Sequence, residues 1–355
     1  MTIDLFLEQL KQALYSIDTN EQAQVLAFYR EQIEDQRENG YSDDEILATL
    51  GDPCQTAQQI IAESGLQPVA ETSNKPKLYT AYTDVSELRL NARNCSVQIR
   101  RGQDNRVRLH YTQTTGIRFH IIEEQQQLTV TQQTLQRTPQ LFRFRKLPPL
   151  LIELPEHYDG NLHVETSNAQ ITAQDCLHLR QCTLHTSNAR AECLRCCADF
   201  MELHSSNGQI SVVDGQFGTL YVQTSNGRLE LQQLTIRELL DATTSNGRCE
   251  AAAIDCQNCT LKSSNGRLHL RHIHAQNDCC AITSNGAVQV EQISGLDIYL
   301  KSSNAAIQGN ISGEPAEYTI QSGTSNGKNN LPSGGNGDKL LEVYTSNNGI
   351  YLQFV

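Results

Sequence analysis

The sequence predicts a mainly β fold: a single-stranded β-helix, or solenoid, with rungs of about 20 residues and a small N-terminal α-helical domain. Three observations lead to this prediction. A Thr/Ser-Ser-Asn triplet recurs along the chain at steps of 19 to 22 residues. Apolar and polar residues alternate on both sides of each triplet. Hydrophobic residues make up only 38% of the 355 residues, which suits a thin, elongated core better than a spherical one.

The asparagines of the triplet set the register of the repeat. They are Asn168, Asn188, Asn207, Asn226, Asn246, Asn265, Asn285, Asn304, Asn326 and Asn347. When each asparagine is numbered zero, positions −6, −4, +3 and +5 are mostly apolar, which predicts two short strands with alternate side chains facing inward. A further apolar position near +8 gives each rung about three inward faces.

The triplet itself predicts a corner in each rung. Asparagine tolerates the left-handed backbone conformation, and the glycine that often follows it adopts that conformation freely. We expect the asparagine amides to hydrogen-bond from rung to rung, and the Thr/Ser hydroxyls at position −2 to pair in the same way. The ten asparagines are therefore predicted to form a structural turn ladder. A leucine-rich repeat is the competing architecture, but it needs a helical return segment, and here the return is short and strand-like.

Residues 1–65 predict a helical domain of four short helices, because apolar residues recur at steps of three and four. Ser42 and Glu45 form a capping box, and Asp52-Pro53 fits the N-cap and first position of the last helix. A polar linker follows at residues 66–78. Residues 79–161 then begin the solenoid irregularly, and residues 162–355 hold the regular Ser-Asn-Gly repeats.

Both regions resemble known bacterial families. In the helical region, Phe28-Tyr29, Gly40-Tyr41-Ser42 and Leu50-Gly51-Asp52-Pro53 resemble the HAAS-type helical signalling domain. In the repeat region, the strand Leu151–Pro155 followed by Ser-Asn-Gly rungs resembles the bacterial "putative adhesin" β-repeat family, a domain of unknown function, over residues 80–355. The resemblance implies a β-solenoid joined to a helical signalling domain, with a role in envelope-stress or regulatory signalling.

Composition argues against several classes of function. The net charge is −12, and no track of Lys and Arg is present to follow nucleic-acid phosphates. The N-terminal segment carries Asp4, Glu8 and Lys11 within its apolar pattern, so it predicts an amphipathic helix and not a signal peptide. We therefore expect a cytoplasmic protein, with membrane association left open, in which the 12 cysteines are reduced thiols.

A few residues have the spacing of metal ligands. Cys193-x-x-Cys196 and Cys256-x-x-Cys259 are spaced as in zinc sites. His269, His272 and His274 form a His-x-x-His-x-His set that could hold a metal ion weakly. Cys193, Cys196 and Cys259 fall in columns that other rungs fill with aliphatic residues, which favours core packing over metal binding.

Two outward-facing features can also be read from the sequence. His185 and His204 share position −3 on neighbouring rungs, where they could hold a metal ion weakly. The basic stretch at Arg137 and Phe142–Lys146 could contact an anionic lipid surface or an acidic partner.

No catalytic triad, phosphate loop or paired-carboxylate motif is found in the sequence, and no cofactor is predicted. We therefore expect a non-enzymatic interaction or scaffold protein that binds a protein partner through the N-terminal helices or a face of the solenoid. Open solenoid ends would also favour end-to-end self-association. Two alternatives stay open: a surface adhesin or envelope-bound sensor, and a metal- or redox-responsive protein that uses the cysteines.

Overall fold

The computed structural model describes residues 2–14, 41–64, 78–113, 117–134 and 149–355, with isolated positions between residues 22 and 37. Most of the predicted linker and the basic stretch at residues 137 and 142–146 lie outside the described residues. The predicted fold class is confirmed, since most of the described residues lie in strands and the strands form a β-solenoid of about 9 turns. The helices and the solenoid form two separate compact units.

The helical unit has three helices with described boundaries, α1 (Ile3–Ala13), α2 (Asp43–Leu50) and α3 (Pro53–Ser64). The backbone N–H of Ser42 donates to Glu45 over 2.9 Å, as the capping box at the start of α2 requires. Asp52 caps α3 by accepting from the backbone N–H groups of Cys54 and Gln55, each at 2.9 Å. These local bonds fix where α2 and α3 begin.

The core of the helical unit is formed by apolar residues that the sequence places on one face of each helix. The predicted second helix is described only at isolated positions, and these are helical. Phe6 of α1 packs edge to face against Tyr29 with ring centroids 6.0 Å apart. The buried residues of this core are Ile3, Phe6, Leu10, Leu14, Leu26, Tyr29, Ile33, Ile46, Leu50, Ala57 and Ile60.

The β unit contains 23 strands joined in one sheet that winds around the core. The strands before the regular repeats are β1 (Leu78–Tyr82), β2 (Glu87–Asn91), β3 (Val97–Arg101), β4 (Val107–Tyr111), β5 (Ile117–Glu124), β6 (Gln127–Thr134) and β7 (Leu150–Leu154). Those of the central rungs are β8 (Asn161–Thr166), β9 (Ile171–Gln174), β10 (Leu179–Thr186), β11 (Ala191–Leu194), β12 (Cys197–Ser205), β13 (Ile210–Thr224), β14 (Leu229–Thr244), β15 (Cys249–Ser263), β16 (Leu268–Ala275), β17 (Asp278–Thr283), β18 (Val288–Ser294) and β19 (Asp297–Ser302). The last four are β20 (Ile307–Ile311), β21 (Tyr318–Thr324), β22 (Lys339–Thr345) and β23 (Ile350–Phe354).

The central rungs stack in parallel and in register. In β13, β14 and β15, for example, Leu220 lies beside Leu240, which lies beside Cys259, and all three side chains are fully buried. Since alternate residues face inward, each apolar position of the repeat becomes one column of the core. The core is thus a narrow space enclosed by each rung and filled by the inward-facing side chains of that rung. This explains how a chain with so few hydrophobic residues can fill it.

At the N-terminal end of the solenoid, spatial order departs from chain order. Strand β2 lies between β6 and β8, and β3 lies between β7 and β9. The first rung of the chain is therefore not the outermost one. Beyond β7, strands β4 and β1 continue the sheet in antiparallel fashion.

The C-terminal end shows the same kind of insertion. Strand β22 lies between β19 and β21, so the last rung of the chain is inserted beneath the one that precedes it. The segment after β21 covers the outer edge, where Ile320 and Gly334 exchange two backbone hydrogen bonds of 2.9 and 3.0 Å. The side-chain amide of Asn330 also pairs with the backbone N–H and C=O of Leu352 at 3.0 and 2.9 Å. The rung that ends at Val355 is thus covered by the chain itself.

The corner at the triplet differs from the expected one. Neither the ladder asparagines nor the glycines that follow them have positive φ, so the left-handed explanation is wrong. At the Asn-Gly corners consecutive rungs approach closely: a Cβ on Gly247 would lie 1.7 Å from the carbonyl oxygen of Gly227. The left-handed residues lie instead at position +7, where φ is 49° to 56° in seven successive rungs. They are Asp175, Arg195, Asp214, Gln233, Ala253, His272 and Gln292.

Candidate functional site

The asparagines form a continuous ladder along one edge of the solenoid. In each rung Nδ2 donates to Oδ1 of the asparagine below, as from Asn246 to Asn226 over 2.7 Å. The ladder also includes Asn94, which accepts from Asn168 over 2.8 Å. Its order at the C-terminal end is Asn304, Asn347, Asn326, with distances of 2.6 and 2.9 Å, because the last rung is inserted. The expected sequential order is therefore wrong at this end.

A second ladder lies inside the corner, at the Thr/Ser of position −2. The expected hydroxyl-to-hydroxyl pairing is wrong, since these hydroxyls bond to the backbone. Thr244 accepts from the N–H of Gly247 over 3.1 Å and donates to the carbonyl of Gly227 in the rung below over 3.3 Å. One buried hydroxyl thus satisfies a donor and an acceptor that the corner leaves outside the strand pairing, which explains why only Ser or Thr occupies this column.

The cysteines of the two Cys-x-x-Cys pairs lie in the core columns. Cys193, Cys196, Cys256 and Cys259 are buried, and every cysteine is a free thiol. A hydrogen bond to Cys196, together with burial, raises the pKa of the Cys193 thiol. Hydrogen bonds to Cys256 and Cys279, with burial, raise the pKa of Cys259 in the same way. The neutral thiols of Cys193 and Cys259 are poor nucleophiles, whereas hydrogen bonds with Cys176 and Cys193 lower the pKa of Cys196. All four side chains are buried among the apolar residues of the solenoid, so they act as core residues in this structure.

The histidines singled out in the sequence point in different directions. His269 Nε2 lies 3.0 Å from a carboxylate oxygen of Glu291, and His274 Nδ1 lies 2.7 Å from the hydroxyl of Ser294. His272 occupies the left-handed position +7, with φ of 51°. Among the described residues, no three His, Cys, Asp or Glu side chains are arranged to hold a metal ion.

A cluster of imidazoles and carboxylates lies on the outer face of the first central rungs. His185 and His204 stack edge to face with ring centroids 4.4 Å apart, and Nδ1 of His185 lies 3.9 Å from a carboxylate oxygen of Glu165. Nδ1 of His204 is buried without a hydrogen-bond partner. Burial, and secondly the neighbouring His185, lower the pKa of His204, so its imidazole is neutral at pH 7.

Two shallow grooves lie on the described surface of the solenoid. One, of about 370 Å³, crosses several rungs beside the exposed ion pair between Asp199 and Arg237, whose closest atoms are 2.6 Å apart. A second, of about 360 Å³, lies where Gly323 leaves space next to Tyr344. Cys197, His178 and Arg237 line the first groove, but no hydrogen bond between described residues joins Cys197 to His178, and burial raises the pKa of the Cys197 thiol. The groove therefore lacks the activated nucleophile that an acyl-transfer or hydrolytic site would need.

The charge of the chain is concentrated in the helical region. Residues 1–64 contain 13 acidic and 3 basic residues, a net charge of −10, so the remaining 291 residues account for only −2 of the total of −12. On α1, Asp4, Leu5 and Glu8 are exposed, and Leu5 is 45% accessible. Counting charge by region would have shown this asymmetry in the sequence. The left-handed column at position +7 carries no such signal, because its residue types share no chemical property.

Comparison with known proteins gives two family matches. The model described as Toastrack DUF4097 matches residues 85–253 and 214–327, and the model described as HAAS matches residues 5–59. A comparison with curated proteins gives no match. Among the described residues, no helix has both the length and the apolar character needed to cross a membrane.

Two solved structures are similar to this chain at low scores. One is described as a "putative adhesin" from Bacteroides fragilis NCTC 9343, with a TM-score of 0.35 and 8% identity, covering 79% of this chain and 100% of that one. The other is a "putative cell adhesion protein" from Clostridium sporogenes ATCC 15579, with a TM-score of 0.19 and 9% identity, covering 78% and 99%. Similarity at this level does not bear on what this chain binds.

Proposed function

The chain belongs to the Toastrack DUF4097 family, whose model covers residues 85–327, and we propose that it is a non-enzymatic interaction protein of bacterial regulatory or envelope-stress signalling. Its resemblance to the HAAS domain and to the adhesin-type β-repeat family is confirmed by the family matches. The proposal is supported by how the repeat uses its polar residues. The amides and hydroxyls of the triplet are hydrogen-bonded to neighbouring rungs, so the most regular feature of the sequence builds a rigid support.

The observation that carries the proposal is the concentration of negative charge on the helical unit. A net charge of −10 within 64 residues creates a field that attracts a basic protein surface and speeds its association. The exposed Leu5, between Asp4 and Glu8 on the outer face of α1, adds an apolar contact at the same place. We infer that α1 binds a basic partner protein while the solenoid acts as a rigid extension.

The test uses the full chain, tagged and purified from cells of the source organism with its bound proteins. The variant D4K/L5R/E8K should lose a basic partner that the unchanged chain retains, because the charge and the apolar contact are both removed. Glu230→Lys, a charge reversal on the solenoid, is the control and should keep that partner. Recovery of the same proteins with all three chains would contradict the proposal.

We also propose that the protein works in a reducing compartment, which the free thiols support. Treating intact cells with a membrane-impermeant maleimide tests this, with the exposed Cys54 as the reporter. Labelling of Cys54 only after lysis is the expected result. Labelling on intact cells would mean export, and a surface adhesin or envelope-bound sensor would become the better proposal.

A redox-responsive role is the second candidate, and one contact favours it. Cys259 and Cys279 face each other in register on β15 and β17, and their thiols are within hydrogen-bonding reach. Oxidation by a disulfide reagent would join two rungs by one covalent bond, with two electrons and two protons passing to the oxidant. Mass spectrometry after treatment with oxidised glutathione tests it, and Cys249, which has no cysteine beside it in register, is the single-thiol control.

A further inference from the structure

Six of the ladder asparagines are followed by glycine, and Asn-Gly is the sequence most open to self-modification. The glycine nitrogen can attack the side-chain carbonyl carbon of asparagine, forming a C–N bond and releasing ammonia, because no Cβ on glycine hinders the approach. Water then opens the resulting succinimide to aspartate or isoaspartate. The six are Asn207, Asn226, Asn246, Asn265, Asn285 and Asn326, and each is preceded by serine.

The corner suppresses this reaction in the five inner rungs. At Asn246, the nucleophile is held because the N–H of Gly247 donates to Thr244 over 3.1 Å, away from the asparagine side chain. The electrophile is held too, because the amide of Asn246 donates to Asn226 and accepts from Asn265, each over 2.7 Å. The reaction needs all three bonds to break while the buried glycine moves.

The same three restraints hold at the other inner positions. The N–H groups of Gly208, Gly227, Gly266 and Gly286 donate to the Ser or Thr at position −2 over 2.8 to 3.1 Å. The corresponding asparagines each donate one ladder bond and accept another. All five inner glycines are buried.

Asn326 lies at the outer end of the ladder and lacks most of these restraints. It donates to Asn347 over 2.9 Å, but no side chain in the described part of the chain donates to its Oδ1. The hydroxyl of Thr324, which would hold the N–H of Gly327, donates instead to the carbonyl of Asn348 over 2.7 Å, and no acceptor for that N–H is found among the described residues. Gly327 is also exposed to water.

We propose that Asn326 is a site of spontaneous deamidation and isomerisation in the folded protein, and that the ladder protects the five inner Asn-Gly pairs. The modification places a carboxylate, or an isoaspartate with an extra backbone carbon, at the C-terminal end of the ladder. The motif that builds the solenoid is therefore protected by the stacking that it creates, except where stacking ends.

The test is incubation of the full chain at mildly alkaline pH, followed by peptide mapping by mass spectrometry. One hydrogen bond changes the equilibrium between the restrained and the reactive arrangement roughly two- to tenfold, and at least two of the bonds are missing at Asn326. The rate of conversion at Asn326 should therefore exceed that of each inner asparagine by about tenfold or more. The same chain unfolded in denaturant is the reference, and there all six should convert at similar rates. Equal conversion at all six positions of the folded chain, or an unmodified Asn326, would overturn the proposal.

A pair of variants tests the protection itself. Thr244→Val removes the hydroxyl that holds the Gly247 N–H and should raise conversion at Asn246 several-fold. Thr243→Val, one residue away and facing outward, contacts Asp241 and not the corner, so it should leave Asn246 protected. No increase with Thr244→Val would show that the hydroxyl bond is not what protects the site, whatever its effect on stability.

Discussion

The central rungs and the two ends of the solenoid have similar residues in the same register, but they assemble in different ways. From β8 to β19, each rung stacks on the one that precedes it in the chain. At the N-terminal end the rung of β2 and β3 lies between later strands, and at the C-terminal end β22 enters between β19 and β21. The repeat motif thus specifies what a rung looks like, and other interactions specify where it lies in the stack.

This difference has a physical consequence for the ends. A solenoid built in strict chain order would leave its last strand with unpaired backbone groups, which invites association with another chain. Here the first and last rungs are interior, and the outer edges are covered by antiparallel strands or by the segment around Asn330. End-to-end association stays a prediction, but covered edges leave it fewer free backbone groups to use.

Deleting residues 338–355 should have the largest effect. The deletion removes the buried side chains of Leu341, Val343, Ile350 and Leu352, and it leaves β21 without its neighbour. We expect the free energy of unfolding to fall by at least about 4 kcal/mol, and the backbone amides of β21 to exchange hydrogen rapidly. Tyr351→Ala, an exposed side chain on the same rung, is the control. If β21 instead pairs with β19 and the free energy of unfolding is unchanged, rungs at the ends can stack in chain order as those of the centre do.

The sequence allowed the repeat and its core columns to be predicted because each depends on local spacing alone. The alternation around Leu220 and Leu240, for example, is a period-two pattern within a single strand. The capping box at Ser42 is equally local. These are also the features that follow from the chemistry of neighbouring residues, without reference to the rest of the chain.

The inserted rung at the C-terminal end could not be predicted, because its triplet and alternating strands follow the same pattern as those of sequential rungs. Asn347 follows Thr-Ser as other ladder asparagines do, and the Asn348 after it gives no sign of an insertion. The place of Asn347 between Asn304 and Asn326 depends on pairing across the whole end. The role of the glycine was also missed. A close approach between the backbones of Gly227 and Gly247 is a property of two stacked rungs and not of the turn itself.

Gly247→Ala tests that account of the corner. An added methyl group would lie 1.7 Å from the carbonyl of Gly227, so the two rungs must separate, and we expect a loss of about 2–3 kcal/mol in urea unfolding. Gly323→Ala is the matched control near the end, because its nearest neighbour would be 3.8 Å away. Equal effects of the two substitutions would mean that the corner adjusts without cost. Alanine already follows Asn168, Asn188 and Asn304, so other corners of this solenoid accept a Cβ at the same position.

Alkaline pH should destabilise the centre before the ends, since ten of the 12 cysteines lie between residues 161 and 302. Burial raises the pKa of Cys249 from 9.0 to about 12. A group whose pKa is higher in the folded chain contributes its full stability below its unfolded pKa, and this contribution is lost as the pH rises from about 9 towards 12. We expect the free energy of unfolding to fall by about 1 kcal/mol at pH 10 because of Cys249 alone. Cys249→Val should reduce the pH slope in urea unfolding, whereas Cys54→Ala, at an exposed site, should leave it unchanged.

Aspartate in the asparagine ladder should also have a small effect, and it separates centre from end most directly. Asn246→Asp loses the donor to Asn226 and places a carboxylate against its carbonyl oxygen, so we expect a loss of about 1–2 kcal/mol at pH 7. Among the described residues, the side chain of Asn94, at the N-terminal end, makes one hydrogen bond, which it accepts from Asn168. A carboxylate accepts equally well, so Asn94→Asp should change stability little.

The pH dependence of the stability of Asn246→Asp shows whether the ladder bond to Asn226 is what the variant loses. A protonated aspartic acid can donate to Asn226, so folding raises the pKa of the new carboxyl group. The variant should therefore be nearest to the unchanged chain below the unfolded pKa of the carboxyl group, and its deficit should grow as the pH rises through the folded pKa. Urea unfolding across the acidic range measures it. A deficit that shrinks as the pH rises would mean that the ladder bond from Asn246 to Asn226 does not contribute to the stability of the central rungs.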